Sequence, residues 1–264
     1  MTPAWWDLLR QARVYDLSQP YFPGMPHYPT HPPFLYGLTK KHGDFVNPGG
    51  SSSAADSIAL GTHVGTHIDA LCHFSRDGVL RGGAPAEDRQ SYQRGVEHLS
   101  IDTVAPIWRR GVLLDVASFV GQESLAPDFS ISAALLAETA GWAGVEVQAG
   151  DVVLIRTGWG AFFEDPRRYL CGMRGPGPEL DGARWLSGRS IFAAGSDTVS
   201  FERIPAPSMP VHVHLLVESG IHIIEVLNLE DLARDRVREF LFVGAPLKIE
   251  RATGAPLRPL AVVL

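Results

Sequence analysis

His63-Val64-Gly65-Thr66-His67-Ile68-Asp69-Ala70-Leu71-Cys72-His73 places three histidines and a carboxylate within eleven residues. Neutral imidazole nitrogens and a carboxylate oxygen form the donor set that suits zinc, manganese or iron at about 2.0–2.2 Å. His63 and His67 have the i, i+4 spacing of helical zinc motifs, but Gly65 and Thr66 lie between them and no glutamate sits beside His63. A strand or bent loop is therefore expected rather than a helix. On an extended segment His67 and Asp69 share one face by the two-residue period, and a kink at the glycine lets His63 join them. A lone histidine on an apolar face is most often a satisfied core group, whereas four potential ligands in one short stretch is a rarer accident. A divalent metal held by His63, His67 and Asp69 is the expectation, with His73 placed for proton transfer. Cys72, pointing away from His67 and Asp69 if the segment is extended, reads as a small buried filler.

Upstream of the motif, PAWWDLLRQAR (3–13) reads as a short amphipathic helix whose apolar face is built from Trp5, Trp6, Leu8 and Leu9. VYDL follows as a strand and runs into the proline-rich coil PYFPGMPHYPTHPPF, and NPGGSSS (47–53) is a loop. ADSIALGTHVGTHIDA is rich in β-branched residues and reads as a strand that breaks near Gly65 or just after it. Residues 75–93 form an exposed connection.

Downstream, GVLLDVA (111–117) and DVVLIRTGW (151–159) are short apolar runs of the kind found in buried strands. ISAALLAETAGWAG (131–144) has helical spacing and stops on glycine. RRYLCGMRGPGPELDGARWLSGR holds a glycine- and proline-rich loop and then a short helix, and SIFAAGSD (190–197) a strand ending in a turn. VHVHLLVESGIHIIEVLNLEDL reads as a helix stopped at Gly220, a strand IHIIEVL and a helical turn; FLFVGAPLKI and PLRPLAVVL close the chain as strands. Strands and helices alternating around one continuous core predict a single α/β or α+β domain over residues 1–264.

A second enrichment is His212, His214, Glu218, His222 and Glu225. Alternation of polar with apolar residues is also what a half-exposed strand shows, and His222, flanked by Ile221 and Ile223, reads as facing solvent. The segment gains weight because a metal site needs ligands from distant parts of the chain. Asp197 in Gly195-Ser196-Asp197-Thr198 reads as a turn cap in preference to a partner of a ligand histidine. Asp115 is structural or a support to the site, and Ser200 and Ser208 lack the neighbourhood of a nucleophile elbow. Trp5, Trp6, Phe22 and Tyr28 suit packing better than a pocket lining.

Bulk composition excludes several classes. The 264 residues carry 45% hydrophobic and 20% charged residues, an ordinary globular balance. A net charge of −6 gives no pull towards phosphate backbones or anionic lipid, so nucleic acid is not an expected partner. Two unpaired cysteines, Cys72 and Cys171, fit a reducing compartment. No stretch approaches the ~20 apolar residues of a membrane span, and the N-terminus has no signal-peptide pattern, so a cytoplasmic location is expected. No GxGxxG or GxxxxGK[ST] loop supports nucleotide binding.

The HxGTHxDxxxH pattern of His63 to His73 resembles the cyclase-like metal-dependent hydrolases, the family of bacterial kynurenine formamidases and isatin hydrolases. YDLSQP with GMPHYP, RGVLLDVA, GDVVLIRTGW, the GSDT turn, PVHVHLLVESGIHIIEVLNLEDL, and FVGAPLKI with TGAPLRPLAVV resemble the same family in the same order. The resemblance implies a swivelling β/β/α fold of the α/β class, a mixed barrel-like sheet flanked by helices, in a homodimer or homotetramer. It implies Mn2+ or Zn2+ on His63, His67 and Asp69, with His73 as the catalytic histidine or a ligand of a second metal. His212 and Glu225 occupy the neighbourhood of the family's distal histidine and glutamate, with His214 a competitor to His212. The implied activity is opening of a cyclic amide or cleavage of an aryl formamide by a metal-activated water. The formamidase branch typically has proline two residues after the motif aspartate, where this chain has Leu71, and VESGIHIIE looks more like the isatin-hydrolase side. Competing classes are a kynurenine formamidase, a metal-dependent lyase or dehydratase, and a non-catalytic small-molecule binder on the same site.

Overall fold

A computed structural model describes residues 4–264. The first helix, α1 (Ala4–Gln11), occupies the expected stretch, whose first residue, Pro3, lies outside the described residues. Trp6 and Leu8 on it are 46% and 51% exposed, and the side chains of Trp5 and Leu9 lie outside the described set. Strand β1 (Arg13–Asp16) follows, then the proline-rich coil, and then a ribbon of β2 (Leu35–Lys40) and β3 (Ala55–Ala59). The motif strand is β4 (His67–Asp69).

The expected single strand from Ala55 to Asp69 is therefore two strands in two different sheets, with a break that spans residues 60–66 and so includes the expected bend at Gly65. The pairing partners decide this: β3 pairs with β2 across the ribbon, while β4 pairs with strands from the end of the chain. Residues 75–93 are mostly exposed, as expected, and the minor pair β5 (Gln90–Ser91) and β6 (Gly95–Val96) begins there.

Strand β7 (Ile107–Asp115) leads into the single turn α2 (Val116–Phe119), which Asp115 caps by accepting from Ser118 N. After β8 (Ser130–Ile131), α3 (Ala133–Ala143) starts at Ser132, whose side chain accepts from Leu135 N, and stops at left-handed Gly144. Strand β9 (Val152–Arg156), helix α4 (Pro166–Leu170), β10 (Gly177–Pro178), helix α5 (Leu180–Ser187) and β11 (Ala193–Ser196) follow. Pro210 opens α6 (Pro210–His212), which continues as a π-helical segment, Val213–Ser219, ended by left-handed Gly220. The chain finishes with β12 (His222–Glu225), α7 (Glu230–Arg234), β13 (Glu239–Gly244), β14 (Gly254–Pro256) and β15 (Leu260–Val263).

Nine strands form one mixed sheet in the order β1-β15-β13-β7-β9-β11-β12-β4-β14, curled into a half-barrel with helices against it, the expected α/β architecture. Its centre, β7-β9-β11-β12, is parallel; the flanking strands are antiparallel. The central strands are buried on both faces, which is why GVLLD and VVLI read as unbroken apolar runs. Leu113, Leu154 and Ile224 pack into one core with Phe240 and Phe242; Val112, Val153 and Ile223 pack into the other beneath α3 and α5. No helix among the described residues is long and apolar enough to cross a membrane.

Candidate metal centre

The motif bends where only glycine can bend. Gly65 has φ +67°, and a Cβ there would sit 2.5 Å from Tyr21 Cζ. Tyr21 Oη donates to Thr66 O at 2.9 Å, while Thr66 Oγ1 accepts from Gln19 N at 2.8 Å and donates to Val226 O at 2.5 Å. These bonds staple the turn to two distant segments. Strand β4 then sits between β12 and β14 in a register that puts Glu225 directly opposite His67. A side chain at Gly254, opposite Asp69, would collide with His63 Cε1 at 2.5 Å.

Within this frame His67 Nδ1 donates to Gly65 O at 2.8 Å, so its Nε2 is the atom turned to the cluster. That nitrogen lies 3.5 Å from both Asp69 Oδ1 and Glu225 Oε2. His63 Nδ1 pairs with Asp69 Oδ1 at 2.7 Å and its Nε2 meets Thr253 Oγ1 at 2.9 Å. His212 Nε2 reaches Glu225 Oε1 at 3.1 Å and lies 4.0 Å from Asp69 Oδ2. Two groups of three result, His63–His67–Asp69 and Asp69–His212–Glu225, in each of which the ligand atoms lie within 4.8 Å of one another. Asp69 belongs to both. All five residues are buried.

His67 Nε2 and Asp69 Oδ2 are buried without a hydrogen-bond partner. A buried polar atom without a partner is costly, and one imidazole nitrogen and one carboxylate oxygen converging in this state are what a divalent cation satisfies. The residues present fit the ion. Without it, burial works against every charge here, and the neighbours overrule burial at three of the groups. His73 and His63 with their neighbours hold the Asp69 carboxyl well below its usual range; Asp69 and Glu225 raise His67; Glu202 and Glu225 raise His212 to about 10. At His73 burial prevails and pushes the ring well below the ordinary histidine value.

The ring of His73 stacks on His63, centroids 3.8 Å apart, and meets Phe74 edge-on at 4.9 Å. Its nitrogens make no hydrogen bond with a described residue, and it is half-buried, at the rim of the cluster. His31 lies over the same rim and its Nδ1 contacts His63 O at 3.2 Å.

Every residue of the two expected sets, His63, His67 and Asp69 with His73, His212 and Glu225, thus comes together. The competition between His212 and His214 is decided by the helix: His214 points elsewhere, pairing with Glu218 at 2.7 Å and Ser187 at 2.8 Å. His222 does not face solvent as expected; it is 7% exposed and its Nδ1 donates to Asp69 O at 2.9 Å, a consequence of the neighbouring strands β12 and β4. Asp197 caps the turn after β9, accepting from Thr157 N, Thr157 Oγ1 and Gly158 N at 2.6–2.9 Å. Cys72 packs in the core. Sequence reasoning missed Glu202, whose Oε1 accepts from His212 N and Nδ1, and Thr253, Tyr21 and His31. Nothing local marks them: each gains its role from a contact across the fold.

The model of the family described as putative cyclase matches residues 15–203. An isatin hydrolase of Roseibium aggregatum is 29% identical over 214 residues, covering 78% of this chain and 73% of that protein. A kynurenine formamidase of Bacillus cytotoxicus is 24% identical over 257 residues, covering 95% of this chain and 97% of its own length. Among solved structures, one described as a novel cyclase superposes with a TM-score of 0.88 at 28% identity, over 100% of this chain and 92% of that one. Isatin hydrolase A from Ralstonia solanacearum superposes with a TM-score of 0.78 at 26% identity, over 100% of this chain and 97% of that one.

Proposed function

The chain belongs to the cyclase family, and from that premise we propose that it is a metal-dependent amidohydrolase, one that opens a cyclic amide of the isatin type or cleaves an aryl formamide. The observation that carries this reading is the convergence of His67 Nε2 and Asp69 Oδ2, both buried and without a partner, inside a ring of histidines and carboxylates. His63, His67 and Asp69 would hold the ion, Mn2+ or Zn2+, and His212 and Glu225 complete the pocket as a catalytic pair or, with Asp69, as the seat of a second ion. When bound, such an ion supplies Lewis acidity, lowering the pKa of water and polarising a carbonyl oxygen.

The chain's own contribution is proton management and exclusion of water. His73 is the general base and acid: with its pKa held low by burial and no side-chain hydrogen bond to a described residue, it takes a proton at a ring nitrogen and returns it to the leaving nitrogen. The balance is one water across the C–N bond, with a carbon–oxygen bond formed, a carbon–nitrogen bond broken and one proton delivered to nitrogen. Phe74, between His73 and His212 with ring centroids 4.9 and 5.0 Å away, offers an apolar wall for an aromatic substrate.

An oligomer is part of the proposal. On the β2–β3 ribbon Tyr36 and Ile58 stand directly opposite each other, with Leu38 two residues on, and all three are exposed. A two-stranded ribbon alone is marginally stable in water, so this exposed apolar face supports a homodimer or homotetramer in which a second copy would cover it. Two free cysteines and a net charge of −6 support a cytoplasmic enzyme acting on a small molecule.

The test is hydrolysis of isatin and of N-formylkynurenine by chelator-stripped protein re-supplied with manganese or zinc. Metal-restored opening of isatin is the expected result. Preference for N-formylkynurenine would move the assignment to the formamidase branch, and metal uptake with neither activity would sink the substrate class while leaving the site.

A further inference from the structure

We propose that Glu202 is the positioning residue of the distal half of the site: it fixes the ring of His212 so that Nε2 faces Asp69 and Glu225, and thereby decides whether that half holds a second divalent ion. This rests on the reading of the cluster as a metal site.

Glu202 is 1% exposed, a burial that a carboxylate tolerates only when its oxygens are engaged. One oxygen, Oε1, takes two N–H groups of a single residue, the His212 backbone N at 2.9 Å and its ring Nδ1 at 2.7 Å. A carboxylate oxygen can only accept, so Nδ1 carries the proton, and Nε2 is the nitrogen available to a cation. Gripping the main chain and the ring of one residue together fixes both the end of α6, where it passes into the π-helical segment, and the rotation of the imidazole. A flipped ring would set a carbon against Glu202 Oε1 and lose the bond. Phe74 covers the same ring at a centroid distance of 5.0 Å.

The neighbouring residue does the matching job. Phe201 N donates to Glu225 Oε1 at 2.6 Å, so two consecutive residues of one loop orient both distal ligands, the glutamate through a backbone N–H and the histidine through a carboxylate. That loop is held by β10: a Cβ at Gly177 would sit 2.5 Å from Phe201 O and 2.6 Å from Arg203 N. Glu202 is itself in neither ligand group, consistent with a support to the site and not a ligand.

The experiment is a titration of chelator-stripped protein with Mn2+ and with Zn2+, in competition with a chromogenic chelator, for the wild type, Glu202→Ala and Glu202→Gln. The wild type should take up two equivalents. Glu202→Ala should weaken the second by about 10- to 100-fold, the range usual for groups that orient a ligand histidine, and leave the first unchanged. Glu202→Gln, whose amide oxygen still accepts both N–H groups, should keep the second within several-fold of wild type. Should Glu202→Ala not fold, Glu202→Met, which fills the space but accepts nothing comparable, carries the same expectation. Two equivalents bound by Glu202→Ala with wild-type affinity would overturn the proposal. So would equal weakening of both equivalents, or a wild type that takes up only one. No substrate is involved, so an enzyme inactive on isatin but showing this pattern would lose the substrate assignment and keep the role of Glu202.

Discussion

Asp69 stands in both ligand groups, and its position is why the two halves of the site are coupled. Oδ1 faces the two motif histidines while Oδ2 has no hydrogen-bond partner, and its main-chain carbonyl takes the N–H of His222. His73, four residues beyond the end of β4, has the opposite character, with stacking and no side-chain hydrogen bond to a described residue. Replacing His73 by alanine should lower kcat by about 100- to 10,000-fold while metal content stays at wild type. Loss of metal in that variant would instead move His73 into the ligand set. Because burial holds His73 well below the ordinary histidine value of 6.5, the acid limb of kcat/KM should lie below pH 6.5, and a limb centred above it would contradict the assignment of His73 as base. Gly65→Ala tests the turn. Its positive φ and the collision with Tyr21 should cost more than about 2 kcal/mol, read as a lowered urea midpoint, and should also weaken metal uptake.

At the scale of elements, a three-residue strand carries the motif, and it is ordered by pairing on both edges. Its register against β12 is what brings Glu225, 156 residues after Asp69, to the side of His67. The turn that follows β9 is held by Asp197, which gathers donors from Thr157 and Gly158 while Tyr169 Oη donates to its main-chain carbonyl at 3.0 Å. Asp197→Ala would leave buried N–H and O–H groups without an acceptor and should destabilise the protein by on the order of 3 kcal/mol. Urea denaturation measures this, and a loss under about 1 kcal/mol would show that the turn is held by its packing.

For the whole molecule, the metal-free site sets a pH window of stability. His212 rises from 6.5 unfolded to about 10 folded, so its contribution is fully present below pH 6.5 and is lost as pH rises through 10. Asp69 is depressed, so its contribution is present above its unfolded value of 3.8 and is lost as pH falls through its low folded value. Chelator-stripped protein should therefore be most stable between about pH 4 and 6.5 with respect to these two groups, and its urea midpoint should fall from pH 6.5 to pH 10. A midpoint that rises over that range would contradict the carboxylate cage around His212. The proposed oligomer is tested at the same scale: Tyr36→Ser with Ile58→Ser should shift the protein to monomers in light scattering, and an unchanged mass would rule out the ribbon as its interface.

Much of this was legible in the residues themselves. The apolar runs of β7 and β9 declare buried strands, Ser132 and Gly144 mark the ends of α3, and the spacing from His63 to His73 announces a metal centre, because each depends on chemistry within a few residues along the chain. The sequence by itself determined the candidate donors, the bend at Gly65 and the alternating strand–helix order. Only the tertiary structure decided that His212 and not His214 faces the site, that His222 is buried against Asp69, that residues 55–69 serve two sheets, and that Glu202 supports the distal histidine. The physical reason is that an isolated histidine or glutamate has no preferred partner in sequence; the tertiary fold supplies it from as far as 190 residues away, as from His63 to Thr253.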